Sequence, residues 1–295
     1  MVKIIDEFSE ISKNYVAIFC DLWGCLHNGK VAFREALNGL KKYRESGGLV
    51  ILLTNAPRPK KAVKRHLDAL SITADYYDDI VTSGDAAQEA MISGIVGRRV
   101  YHLGPERDLS FFNNLPKSKK IEKKIYRVPI EEAEGIICTG LFNDLTETPK
   151  DYTETIAYGV KKNLPLLCVN PDIFVDIGHT RVWCAGGIAS AYTQAGGRSL
   201  YFGKPHKPIY ELAYKTLKKL RLDLDCTRIL CVGDGLDTDI KGAKLEKLDS
   251  LFICGGLSNI HTGMQNAALR PNLKKLKHLL NQKEIDVKVA MGYFK

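Results

Sequence analysis

Residues 15–29 read YVAIFCDLWGCLHNG, and this stretch decides the fold. Tyr15 to Cys20 is a continuous apolar run too short for a helix, which predicts a buried strand. The run stops at Asp21, where DLWGCLHNG begins, so a functional loop is expected directly after that strand. Over residues 31–46 the apolar positions Val31, Ala32, Phe33, Ala36, Leu37, Leu40 and Tyr43 recur at roughly helical spacing, until Gly47 and Gly48 end the pattern. A second all-apolar run, Leu49 to Leu53, closes on Thr54, Asn55 and Ala56. Strand, loop, helix, strand, loop is the pattern of a parallel α/β unit, whose functional loops lie at the carboxyl ends of its strands.

Outward from there, a helix near residues 60–71 and a strand at Ile80 to Thr82 continue the rhythm. A long middle section then shows strands of its own at Arg99 to Leu103, Gly135 to Cys138 and Pro165 to Val169, with a helix over 149–163. The first rhythm resumes at Leu200 to Phe202, which leads into GKPHKPIY and a helix over 207–220. Ile229 to Val232 ends on GDGLDTDI, and a strand at Ser250 to Cys254 and a helix near 272–281 complete the set. The expected fold is α/β: a parallel-sheet core built from residues 1–84 and 199–295, with an α/β insertion at 85–198. A chain of 295 residues has room for two such units.

Composition narrows the function. The apolar fraction of 45% and charged fraction of 26% are those of a soluble globular protein rather than a disordered one. The first fifteen residues contain acidic side chains and no signal-peptide core, and no stretch approaches the roughly 18 apolar residues of a membrane span. A cytoplasmic protein without a membrane partner is expected. Cys20, Cys168, Cys231 and Cys254 end or interrupt apolar runs, and no CxxC pair offers zinc spacing, so reduced structural thiols are expected. The net charge of +9 is densest at Lys117, Lys119, Lys120, Lys123 and Lys124. Without a nucleic-acid motif or interleaved aromatics this reads as a solvated basic turn and not as a nucleic-acid surface. A positive field also attracts small anionic substrates.

Four polar clusters fall just after predicted buried strands: Asp21, the pair Thr54 and Asn55, Lys204, and the carboxylates Asp234 and Asp239. Singly, each reads as a helix cap or a loop residue. In an open parallel sheet, however, the strand ends share one edge, so all four can meet in one crevice. Asp21 and Asp234 would repel at close range unless a divalent cation lay between them. Mg²⁺ suits hard oxygen ligands combined with a substrate phosphate. Lys204, the Thr54 hydroxyl and the Asn55 amide could hold that phosphate, and a carboxylate nucleophile splits phosphoryl transfer into two steps. No GxGxxG follows the first strand, which disfavours a dinucleotide-dependent oxidoreductase.

The ordered set DxWG, TNA, GKP and GDxxxTD resembles the four motifs of the haloacid dehalogenase superfamily, most closely its class IIA, the NagD-like or p-nitrophenyl phosphatase-like branch. TSGDAA at 82–87, NPD at 170–172 and the CAGGIASAY that precedes GKP are similar to segments of that branch, so the resemblance spans nearly the whole chain. It implies a Rossmann-like core with a large inserted α/β cap that sets substrate specificity. By this resemblance Asp21 forms an aspartyl phosphate, Thr54 and Asn55 bind phosphate, and Lys204 balances charge. Asp21, the Trp23 backbone carbonyl and Asp234 hold Mg²⁺, and Asp239 supports the metal's waters. Asn170 and Asp172 fall on the cap's specificity loop, although an Asn-Pro-Asp turn also has this composition. Capped relatives of this kind pair through the cap, which implies a homodimer.

Trp23 departs from the pattern, because phosphatases of the superfamily carry a second Asp there as acid and base. Indole can do neither, so about 10² to 10⁴ of rate is at stake. His27 in the same loop could supply the proton, or it could be a packing histidine. Otherwise the substrate has a good leaving group, or the chain binds a phosphorylated ligand with little turnover. The expected activity is hydrolysis of a small phosphorylated metabolite (sugar, glycerol, aryl or nucleotide phosphate), with a weakened, ligand-binding protein as the alternative.

Overall fold

The computed structural model describes residues 2–113, 115, 124–178, 180–265 and 269–295, so Lys117, Lys119, Lys120 and Lys123 of the basic cluster lie outside the described residues. Strands β1 (Lys3–Ile5), β2 (Ala17–Cys20), β3 (Leu49–Thr54) and β4 (Asp79–Thr82) come first. The middle of the chain supplies β5 (Arg99–Leu103), β6 (Tyr126–Arg127), β7 (Gly135–Cys138), β8 (Leu166–Cys168), β9 (Phe174–Ile177), β10 (Thr180–Trp183) and β11 (Ser199–Tyr201). β12 (Ile229–Gly233), β13 (Asp249–Ile253) and β14 (Val289–Met291) close the chain.

Seven of these strands form a parallel core sheet in the order β1-β14-β13-β12-β2-β3-β4. The all-apolar character of β2 follows from its central place. Ile18 and Cys20 pack into one cluster with the helix Arg34–Glu45, and Ala17 and Phe19 pack into another with the helix Lys207–Leu220. Alternate side chains thus meet opposite layers, and both layers are dry. Each helix presents a single apolar stripe: Ala36, Leu37, Leu40 and Tyr43 in the first, Ile209, Tyr210, Ala213 and Leu217 in the second.

The insertion is a second parallel sheet in the order β11-β8-β7-β5-β6, and β9 and β10 make a separate antiparallel hairpin. Helices Thr153–Lys161 and Ala185–Gln194 pack on one face of this sheet, and Ser83–Ser93 packs on the other through Ala87, Ala90 and Met91. The boundary drawn at residue 199 needs correction. Ser199–Tyr201 pairs in register with Leu166–Cys168, so it belongs to the inserted sheet, and the chain re-enters the core only after it. A three-residue, half-buried edge strand has no periodicity that says which sheet it joins. All eight cysteines carry free thiols, and no described helix is long and apolar enough to cross a membrane.

Candidate active site

Sheet register brings the site together. Val232, Cys20 and Leu52 are paired neighbours across β12, β2 and β3, and Asp234, Asp21 and Thr54 lie one or two residues beyond that row. Lys204 enters from the inserted side, just after β11, and is buried with its ammonium fully committed. Its Nζ donates to Asp21 Oδ1 at 2.5 Å, to Asp239 Oδ1 at 2.7 Å and to the Leu53 carbonyl at 2.9 Å. These use all three protons of the group. Asp239 Oδ2 in turn accepts the Gly235 N–H at 3.0 Å, so the carboxylate is held from both sides.

Asn55 has a different task from the phosphate-holding amide expected of it. Its Oδ1 accepts the Lys204 N–H at 2.7 Å, and its Nδ2 donates to the Lys204 carbonyl at 3.1 Å and to Asp172 Oδ1 at 2.8 Å. Both amide protons are therefore spent inside the protein, and the side chain is a strut between core and insertion. Thr54 keeps its hydroxyl proton: its Oγ1 accepts from the Ala56 N–H at 3.2 Å and lines the cleft. Asn170 and Asp172 also line the cleft, with Asn170 Oδ1 accepting the Asp172 N–H at 3.0 Å in an Asx turn.

His27 is not brought to the cleft. It is fully buried and absent from the cleft wall, its Nδ1 accepts the Gly29 N–H at 2.9 Å, and burial together with His66 pushes its pKa down to about 3. A ring that stays neutral under a covering of protein is not a proton donor to substrate, so His27 is a packing residue. Trp23 stands edge-on against it at 5.0 Å between ring centroids and lines the cleft.

Burial pushes the Asp21 carboxyl up to about 7 despite the pull of Lys204, with Asp239 and Asp172 adding to the rise. Asp234 is driven well above the usual carboxylate range by burial and by Asp21 and Asp239. Burial also opposes the charge of Lys204, but Asp21, Asp239 and Asp172 outweigh it and hold that pKa well above its ordinary value. The site is short of positive charge. Asp21, Asp234 and Cys25 each offer a ligand atom, all within 4.8 Å of one another. A Cβ at Gly24 would sit 2.0 Å from Asp234 Oδ2, and one at Gly256 1.9 Å from it, so the backbone cradles this carboxylate as no other residue type would allow. Two buried carboxylates in excess of their counter-charge, with hard oxygen donors converging, fit a divalent cation. Cys25 was not legible as a neighbour of this site, since nothing in its spacing distinguishes it from the other buried thiols.

The cleft encloses about 640 Å³. Its floor is Asp21, Thr54, Lys204 and Asp234, and its roof is the β9–β10 hairpin, where Phe174 and Trp183 lie 4.3 Å apart. The hairpin turn is pinned to the core loop by the Gly178 N–H donating to the Asn28 carbonyl at 3.0 Å. The far wall carries two charge pairs, Arg58 with Asp108 at 3.8 Å and Arg107 with Asp144. Arg58 comes from the core loop after β3, and Arg107, Asp108 and Asp144 come from loops of the insertion, so no sequence motif links them.

Comparison with known proteins agrees with this architecture. Residues 18–115 match the model of the haloacid dehalogenase-like hydrolases, and residues 201–278 match a HAD-hydrolase-like model. A crystal structure of a haloacid dehalogenase-like family hydrolase from Brucella suis is 37% identical, covers 99% of this chain and 100% of its own, and superposes with a TM-score of 0.85. A possible sugar phosphatase from Cytophaga hutchinsonii is 20% identical, with coverage of 99% and 98% and a TM-score of 0.76. The acid sugar phosphatase of Staphylococcus saprophyticus is 24% identical over 252 residues, which is 83% of this chain and 89% of that one.

Proposed function

This chain belongs to the haloacid dehalogenase-like hydrolases, and from that premise we propose that it is a Mg²⁺-dependent phosphatase of small phosphorylated metabolites, sugar and glycerol phosphates foremost. The observation that carries the reading is the buried Asp21 carboxylate, held at one oxygen by Lys204 and facing a capped cleft beside Asp234. Phosphatase names among the relatives support it.

With Oδ1 fixed by Lys204, Asp21 presents Oδ2 to the phosphorus, and the ester oxygen departs as the aspartyl phosphate forms. Lys204 favours the ionised form of Asp21 against burial and orients it. The Thr54 hydroxyl donates to a phosphoryl oxygen, and the β9–β10 hairpin keeps bulk water from the acyl phosphate. Asp21, Asp234 and the Trp23 carbonyl would hold Mg²⁺, which would supply positive charge for the phosphoryl oxygens. Water then attacks the phosphorus and frees Asp21.

Phosphate release from a metabolite panel with Mg²⁺, run beside Asp21→Asn, tests this directly. The parent is expected to release phosphate and the variant none; a parent no better than the variant defeats the reading and leaves the ligand-binding alternative. A metal prediction is separable from turnover. The Asp21 pKa is raised in the folded chain, so protonation favours the fold, and that stability is lost as pH rises from about 4 to about 7. Mg²⁺ requires the ionised carboxylates. Saturating Mg²⁺ should therefore raise Tm by about 5 °C above neutral pH and by little at pH 5; an equal shift at both values would refute a carboxylate-held cation.

A further inference from the structure

Trp23 leaves its loop without a proton donor or acceptor, so on the phosphatase reading some other wall of the cleft carries one. Asp144 and Asp176 line the cleft, but Arg107 and Arg181 engage them, and Asp108 faces Arg58 at 3.8 Å. His66 turns its Nε2 into the protein, where it is buried without a partner, and burial lowers its pKa.

Asp172 differs from all of these. Among the described residues no cation bonds to it and none donates to its Oδ2, while Asn55 Nδ2 donates to its Oδ1 at 2.8 Å. Through Asn55 it is tied to the backbone of Lys204, whose ammonium holds the nucleophile. Its charge is felt at both Asp21 and Lys204. Its own backbone is fixed as well: the Gly186 N–H donates to the Asp172 carbonyl at 3.1 Å. A Cβ at Gly186 would lie 2.2 Å from the Pro171 carbonyl oxygen, so only glycine lets the helix Ala185–Gln194 press onto this turn. In phosphoryl transfer the attacking and leaving oxygens lie roughly in line. Asp21 lines this cleft from the core and Asp172 lines it from the insertion, so an in-line departure away from Asp21 would bring the leaving oxygen to the insertion's side of the cleft.

We propose that Asp172 is the general acid and base of this active site, replacing the carboxylate that Trp23 displaces. In the first step Asp21 forms a bond to phosphorus, the bond from phosphorus to the ester oxygen breaks, and the departing oxygen takes the proton of Asp172. In the second, ionised Asp172 removes a proton from water as the water oxygen bonds to phosphorus. The acyl phosphate bond breaks, Asp21 leaves as carboxylate, and Asp172 is again protonated. Burial, opposed by Lys204 and by the Asn55 hydrogen bond, sets its pKa at about 6, so both forms are populated near neutrality.

Asp172→Asn keeps an oxygen that accepts from Asn55 and replaces the other by an amide nitrogen, which can neither give nor take a proton near neutrality. With Mg²⁺ and glycerol phosphate, kcat should fall by about 10² to 10⁴. With p-nitrophenyl phosphate, whose leaving group needs no proton, one equivalent of p-nitrophenol should appear in a burst before slow turnover. His66→Gln should behave as the parent on both. The proposal is overturned if Asp172→Asn retains kcat on glycerol phosphate to within about threefold, or if it loses activity on both substrates equally without a burst. A parent no more active than Asp21→Asn would overturn the phosphatase reading and this proposal with it, whereas an active parent matched by Asp172→Asn would overturn this proposal alone.

Discussion

Asp21→Asn is expected to lower kcat on p-nitrophenyl phosphate by about 10⁶, the order of loss when a covalent nucleophile is removed, without destabilising the fold. The two effects separate because the site is electrostatically strained. Burial works against the Asp21 charge, which is why its carboxyl is pushed up, and a neutral amide escapes that penalty. Lys204 keeps Asp239 and the Leu53 carbonyl as partners. Thermal melting at pH 8 should accordingly show Asp21→Asn at or above the parent Tm, the usual signature of a functional group placed where it costs stability. A variant that is both inactive and markedly less stable would mean that Asp21 serves structure rather than chemistry.

Lys204→Met should behave in the opposite way, losing activity and stability together. Among the described residues Lys204 is the cation bonded to Asp21 and Asp239, and its removal leaves buried carboxylates facing each other without compensation. Breaking a buried pair on one side typically costs about 3 to 5 kcal/mol, equivalent to about 6 to 10 °C in Tm for a chain of this size. Because the deficit is one of positive charge, it should shrink as pH is lowered and the carboxylates protonate. Melting curves at pH 5 and pH 8 check this, and a variant with parental stability at both would contradict the assigned role of Lys204.

These contrasts mark what the sequence could and could not show. β2, β3 and β12 were legible because strands buried on both faces leave unbroken apolar runs, and the polar residues ending those runs fall at one sheet edge. The helices Ser83–Ser93 and Ala185–Gln194 leave no periodic signal because both are buried on several sides and carry glycines, which erases the apolar stripe on which periodicity depends. β11 is legible as a strand, but the sheet it joins is a matter of tertiary pairing, here with β8. At the site, Asp21, Thr54, Lys204, Asp234 and Asp239 converge as their strand positions imply. The strut made by Asn55 and the seclusion of His27 depend on which side chain meets which, and spacing does not encode that.

The proposed chemistry stands on phosphoryl transfer to Asp21. Acid quenching of the Mg²⁺-loaded chain during turnover of p-nitrophenyl phosphate, followed by mass spectrometry of its peptides, tests it directly. One phosphoryl group should appear on the peptide containing Asp21, and none should appear in Asp21→Asn. Undiminished phosphate release by Asp21→Asn, or a phosphoryl group on any other residue, would mean that Asp21 is not the phosphoryl acceptor.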